Sequence, residues 1–129
     1  MLTLPLGVRI FVALDPVDMR KSFDGLAALV QHRLGLDPLS GHLVLFRNKR
    51  GNLMKLIFYD RCGYTIIFRR LERGTFQLPE GAIQAEVDLG QLAMILEGID
   101  LRSAVRRLRY SRDQDRPREN PIPPISFRT

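Results

Sequence analysis

The chain has no tryptophan, one cysteine (Cys62) and two histidines (His32 and His42). One cysteine excludes an internal disulfide and a cysteine-built zinc site, and it fits a reducing compartment. The histidines fall in a helix-like segment and at a strand start, without ligand-like spacing, so they read as surface or partly buried imidazoles. The GxxxxGK[ST] phosphate loop, GxGxxG and GxSxG are all missing, so the common nucleotide-binding and serine-hydrolase templates find no footing. No apolar run approaches the roughly 18 residues of a membrane span. The opening MLTLPLGVRIF has no basic segment ahead of its apolar residues, so no signal peptide is expected. The expected location is the cytoplasm, with no membrane partner. Residues 74–101 lack lysine and arginine altogether while carrying five acids.

What is present is basic charge in blocks. The 129 residues carry net +6, and 45% of them are apolar. That apolar content supports a packed core. The length fits one domain, placed at residues 1–110, with a tail at 111–129. Residues 1–46 balance at zero, residues 47–73 hold eight basic groups against two acids, and residues 102–129 hold eight arginines against three acids. Two basic blocks are thus split by an acidic one. A basic balance favours a polyanionic partner.

The central stretch, residues 43–76, reads LVLFRNKRGNLMKLIFYDRCGYTIIFRRLERGTF. Its apolar runs at 43–46, 53–59 and 64–68 alternate with Gly-, Asn- and Asp-containing turns, which predicts a β meander. Residues 8–14 (VRIFVAL) predict a further strand, apolar enough to be interior. Asp15-Pro16 resembles a helix start, with Asp15 as N-cap, Asp18 in the first turn, and an apolar stripe of Met19, Phe23, Leu26, Val30 and Leu34. This predicts a helix over 17–34, stopped near Gly35. Met54, Leu56 and Phe58 form an all-apolar strand face, expected to meet that helix, with Lys55 on the opposite face. Residues 75–78 predict a fifth strand and residues 80–85 a loop. Asp88 with Gln91 three residues on is a capping-box pattern opening a helix near 89–97. Residues 101–110 predict a third, basic helix, and the proline-containing tail a flexible one. The expected fold class is α+β: a small, mainly antiparallel sheet packed by one N-terminal helix, with a short C-terminal helix.

The sharpest functional signal is the basic sheet. Arg47, Lys49, Arg50, Lys55, Arg69, Arg70 and Arg73 are the candidates for DNA phosphate contact. Arg102, Arg106, Arg107 and Arg109 form a secondary patch, and Arg20 and Lys21 are weaker candidates. Tyr59, Tyr64 and Phe68 lie among the cations, where aromatic faces could stack on bases. Catalytic chemistry finds less support. Cys62 has no histidine near it in sequence. Of the carboxylates a metal nuclease would need, Asp15 and Asp18 read as helix-capping residues, Asp60 as a turn residue and Glu72 as a partner of neighbouring arginines. No metal or cofactor is expected.

Four blocks in order, PVDMRKSFDGLAALV, DPLSGHLVLFRNKRGNLMKLIFYDRCGY, FRRLERGTFQLP and VDLGQLAMILEGID, resemble the TnpB accessory proteins of the IS-sixty-six-type bacterial insertion sequences. They do not resemble the longer RNA-guided nucleases that share the TnpB label. Two departures from the family pattern stand out: no tryptophan follows the Asp60–Gly63 turn, and Thr75 stands where a basic residue is usual. The resemblance implies a non-enzymatic protein that assists a separate transposase in transposition, with no assigned active site. The partners it implies are DNA, whether the element's ends or any sequence, and the transposase itself. A homo-oligomer is left open. Two other readings remain beside this one. One is an interaction module that docks on the transposase without touching DNA; the other is a metal-dependent nuclease built on Asp15, Asp18 or Asp60.

Overall fold

The computed structural model describes residues 7–99. The expected basic helix at 101–110, the tail, and Arg102, Arg106, Arg107 and Arg109 lie outside the described residues.

Among the described residues, five strands form one sheet. β1 (Ile10–Ala13) leads through α1 (Phe23–His32) to β2 (Leu43–Arg47), which pairs with β1 in parallel. β3 (Leu53–Asp60) and β4 (Gly63–Arg70) complete an antiparallel meander. β5 (Gln84–Val87) then returns antiparallel to the other side of β1. The order is β4-β3-β2-β1-β5, and α2 (Leu89–Leu96) follows β5. The fold is the expected α+β class with a mostly antiparallel sheet. β1 is interior and buried at all four positions, as its unbroken apolar run requires.

Period-two alternation sorts the sheet residues into two cores. Ile10, Val12, Leu43, Leu45, Met54 and Leu56 face α2, meeting Leu92, Ile95 and the loop residue Phe76. Ala13, Val44, Phe46 and Ile57 face α1, meeting Leu26, Val30 and Leu34. The sheet is therefore the middle of three layers. This corrects the expected pairing of faces. The all-apolar Met54 face packs on α2, whereas α1 packs on the mixed face that carries Lys55. Lys55 fits there because its ammonium donates to the Lys21 carbonyl (2.8 Å), just before α1, and lies 4.9 Å from the Phe68 ring centre.

Three element expectations change for reasons of tertiary pairing. α1 begins at Phe23 after Ser22, not at Asp15 or Pro16. The Val17 amide donates to the Arg47 carbonyl (2.8 Å), which ties this segment to the end of β2. Asp15 and Asp18 do not cap α1: Asp15 pairs with Arg33, and Asp18 with Arg20. Phe23, in the expected stripe, is 45% exposed. Residues 75–78 are not a strand. Phe76 is buried in the core and its amide donates to the Gly51 carbonyl (2.8 Å), so the segment serves as a plug. The fifth strand is instead Gln84–Val87, which overlaps the expected loop. The C-terminal helix forms as expected: the Gln91 amide donates to Asp88 Oδ1 (2.7 Å), the Asp88 amide donates to Gln91 Oε1 (2.9 Å), and Gly98 follows at φ 74°.

Candidate nucleic-acid interface

The parallel strands β1 and β2 end at the same edge of the molecule, where the β2–β3 turn, the end of β4 and the 71–76 segment meet. Ligands of open α/β sheets gather outside such carboxyl ends. Here the end gathers Arg47, Lys49, Arg50, Arg69, Arg70 and Arg73, with Arg20 and Lys21 beside them.

The β2–β3 turn is the most ordered piece of this end. Asn48 Oδ1 accepts from the amides of Gly51 (2.9 Å) and Leu53 (3.0 Å), and Asn48 Nδ2 donates to Asn52 Oδ1 (2.9 Å). Gly51 sits at φ 82°, a conformation that favours glycine. A Cβ there would come within 3.1 Å of Thr75 Cβ. The Leu71 amide donates to the Asn52 carbonyl (2.8 Å). Local side-chain bonds and the 71–76 segment thus hold the turn from both sides. Lys49 and Arg50 stand exposed at its tip. A groove of about 490 Å³ lined by Arg47, Thr75, Phe76 and Glu80 opens on one side of them, and one of about 450 Å³ lined by Pro16, Val17, Asp18 and Met19 on the other.

The remaining candidates divide by what their side chains already hold. Arg73 is exposed in the turn after β4. Among the described residues, Lys49, Arg50 and Arg73 enter no ion pair. Arg70 donates to Glu72 (2.9 Å), but both side chains are more than half exposed. Such surface pairs are worth about 0–1 kcal/mol and yield readily to another anion. Arg69 Nη1 donates to the Leu96 carbonyl (3.2 Å) at the last turn of α2, where a cation suits the helix dipole. Arg47 is half-buried and braces the end of β1, donating to the carbonyls of Leu14 (2.9 Å) and Asn48 (3.2 Å). Lys55 is only 9% exposed, and its charge is turned inward. Its placement does not offer the phosphate contact expected of it.

Arg20 is held by Asp18, and this contact pushes the Asp18 carboxyl down to about 2, mainly through the hydrogen bond from the guanidinium. Lys21 is exposed beside Gly25. A Cβ at Gly25 would meet the Lys21 side chain, not the sheet. Arg61 lies in the β3–β4 turn at the opposite end of the sheet.

The aromatic candidates do not form one stacking surface. Tyr59 and Tyr64 pack edge to face at 5.2 Å, and Tyr64 packs against the α1 core. Phe68 is 56% exposed on β4. The carboxylates are likewise dispersed: Asp60 Oδ1 accepts from the Cys62 (2.8 Å) and Gly63 (3.1 Å) amides. Among the described residues no three His, Cys, Asp or Glu side chains gather as a metal site.

A family model described as IS66 Orf2 like protein matches residues 8–106. The chain belongs to the IS66 Orf2-like family. Two relatives from Sinorhizobium fredii (strain NBRC 101917 / NGR234) are similar to it. The protein y4hO is 43% identical over 103 residues, covering 77% of this chain and 89% of its own length. The protein y4jC is 35% identical over 97 residues, covering 73% and 81%. No solved structure matches. Family membership ties the chain to insertion sequences, and the match includes the Asn48–Asn52 turn, the plug and α2. It also extends to Arg102 and Arg106, beyond the described residues. No helix among the described residues is long and apolar enough to cross a membrane.

Asn48 and Gly51, which fix this turn, are not among the residues expected from the sequence to form the site. The signal was present: an Asn three residues before a Gly, in a basic turn between two apolar runs, is the pattern of a side-chain-closed turn.

Proposed function

We propose that this IS66 Orf2-like protein is a non-catalytic accessory factor of transposition that grips the DNA backbone with its basic end. The observation that carries this reading is the pair Lys49 and Arg50, exposed on a turn fixed by Asn48 and Gly51, with no acid paired to either among the described residues. The turn's backbone is already fixed, so ordering on phosphate is confined to the two side chains, and no existing ion pair among the described residues has to break. Arg73 and Arg70 extend the contact, and Arg20 and Lys21 flank it. Arg47 and Arg69 support the site by bracing β1 and α2.

The same end could rest on an acidic surface of a separate transposase. The two readings differ in salt dependence. Each phosphate neutralised on a duplex contributes a slope of about −0.9 in log affinity against log salt. Binding to the element's end duplex and to a scrambled duplex, measured over a salt series, is expected to give a steep slope. The Lys49→Ala/Arg50→Ala/Arg73→Ala variant is expected to flatten it by about 2.7, the value for three lost contacts. Absence of binding to either duplex at low salt would overturn the DNA reading and leave transposase docking, to be tested by pull-down.

A further inference from the structure

The long free edge of the sheet is β4. Among the described residues its far side carries no strand, because the order ends there, whereas β5 at the other edge has only four residues. Natural edges of this kind are usually blunted by proline, bulges or charge. β4 has none of these over Tyr64-Thr65-Ile66-Ile67-Phe68. Its register with β3 is unbroken from Gly63 to Arg70. Ile67 (39% exposed) and Phe68 (56% exposed) lie on opposite faces of this edge.

The backbone pattern says which groups are free. The two-residue turn closes on the pair Asp60 and Gly63, and the Leu71 amide points back to Asn52. Odd-numbered residues of β4 therefore bond to β3, and Tyr64, Ile66, Phe68 and Arg70 direct their amides and carbonyls outward. These four are symmetric about Ile67. An antiparallel copy of the same strand, related by a two-fold axis at Ile67, satisfies all of them.

We propose that β4 pairs with β4 of a second copy in this register, joining two five-stranded sheets into one. The side chains agree with the backbone. Ile67 faces Ile67, Ile66 faces Phe68, Thr65 faces Arg69, and Tyr64 faces Arg70. No charged residue opposes another charged residue, and the two cations at the strand end are already engaged within their own copy, Arg69 by the Leu96 carbonyl and Arg70 by Glu72. The uncharged centre meets an uncharged centre. Such a contact is isologous and closes as a dimer rather than growing into a fibre. It is centred on Ile67, away from Lys49 and Arg50, and does not depend on their role; Arg70, the last residue of β4, is the one position the two surfaces share.

Cross-linking tests the register directly. Ile67 opposite Ile67 is a non-hydrogen-bonded pair, with Cα atoms about 4.5 Å apart, within disulfide reach. In full-length protein carrying Cys62→Ser, Ile67→Cys is expected to form a disulfide-linked dimer under mild oxidation. Thr65→Cys, at a position that faces Arg69, is expected to remain uncross-linked. Sedimentation of the unsubstituted chain over a concentration series is expected to reach twice the chain mass. Ile67→Lys places like charges across the axis and is expected to weaken the dimer by at least about tenfold, with the circular dichroism spectrum unchanged. A monomer at every concentration, no cross-link in the Ile67→Cys protein, or an Ile67→Lys protein that dimerises as well as the parent would overturn the proposal.

Discussion

Gly51 carries more of the candidate site than its size suggests. It allows the β2–β3 turn its φ of 82° and leaves room for Thr75. Gly51→Ala is expected to lower the unfolding free energy by roughly 1–2 kcal/mol, the cost of a left-handed alanine, with a further loss from the Thr75 contact. Urea denaturation at equilibrium measures it, and a change near zero would show that the turn relaxes freely. Asp18 gives a pH prediction. Its carboxyl is lowered to about 2 by Arg20. The folded state therefore holds the carboxylate more strongly than the unfolded chain, and the contribution is present above about pH 4. It fades as pH falls from about 4 towards 2. Stability of the parent and of Asp18→Asn should differ at neutral pH and converge in that window. An NMR titration of Asp18 with an ordinary carboxyl midpoint would contradict it. At this scale the sequence showed which residues were charged. It could not show that Lys55 turns inward or that Asp15 finds Arg33, since those partners lie far apart in sequence and meet only when the layers pack.

Elements were legible where their signals are local. The capping box of α2 lies within four residues, and the meander is punctuated by its own turns, so both appear where the pattern puts them. Asp88→Ala is expected to cost about 1 kcal/mol, the usual worth of an N-cap side chain. It should raise amide exchange first in residues 89–92, as hydrogen-exchange NMR would register. A change confined elsewhere would contradict the cap. α1 and β5 were less legible because distant chain decides them. The Asp15-Pro16 start is locally sound, but the Val17 amide bonds the Arg47 carbonyl at the end of β2, Asp15 and Asp18 are taken by Arg33 and Arg20, and the helix opens at Phe23. Gln84–Val87 lacks a strand pattern of its own and becomes one by lying beside β1. Residues 75–78 have the composition of a strand, yet Phe76 is worth more in the core than in a ladder. Burying a phenylalanine contributes about 1.5–3 kcal/mol.

At the scale of the molecule, the sheet separates two tasks. Its middle strands are covered on both faces by α1 and α2 and supply the core. The end that gathers the β2–β3 turn, the close of β4 and the start of α1 gathers the cations. The charge block at 47–73 was visible in the sequence, but its division was not: Arg47, Lys55 and Arg69 hold the structure together, while Lys49, Arg50 and Arg73 remain available. If β4 pairs across a two-fold axis, the two basic ends point in opposite directions, so one dimer could hold two stretches of DNA. The decisive experiment for the basic end is the salt dependence of duplex binding by the parent chain, by the Lys49→Ala/Arg50→Ala/Arg73→Ala variant and by Lys55→Met. The expected result is a steep slope for the parent, a flattening of about 2.7 in the triple variant, and no change in slope for Lys55→Met. A slope that Lys55→Met flattens as much as the triple variant does, or no duplex binding at low salt, would contradict a DNA grip centred on Lys49 and Arg50.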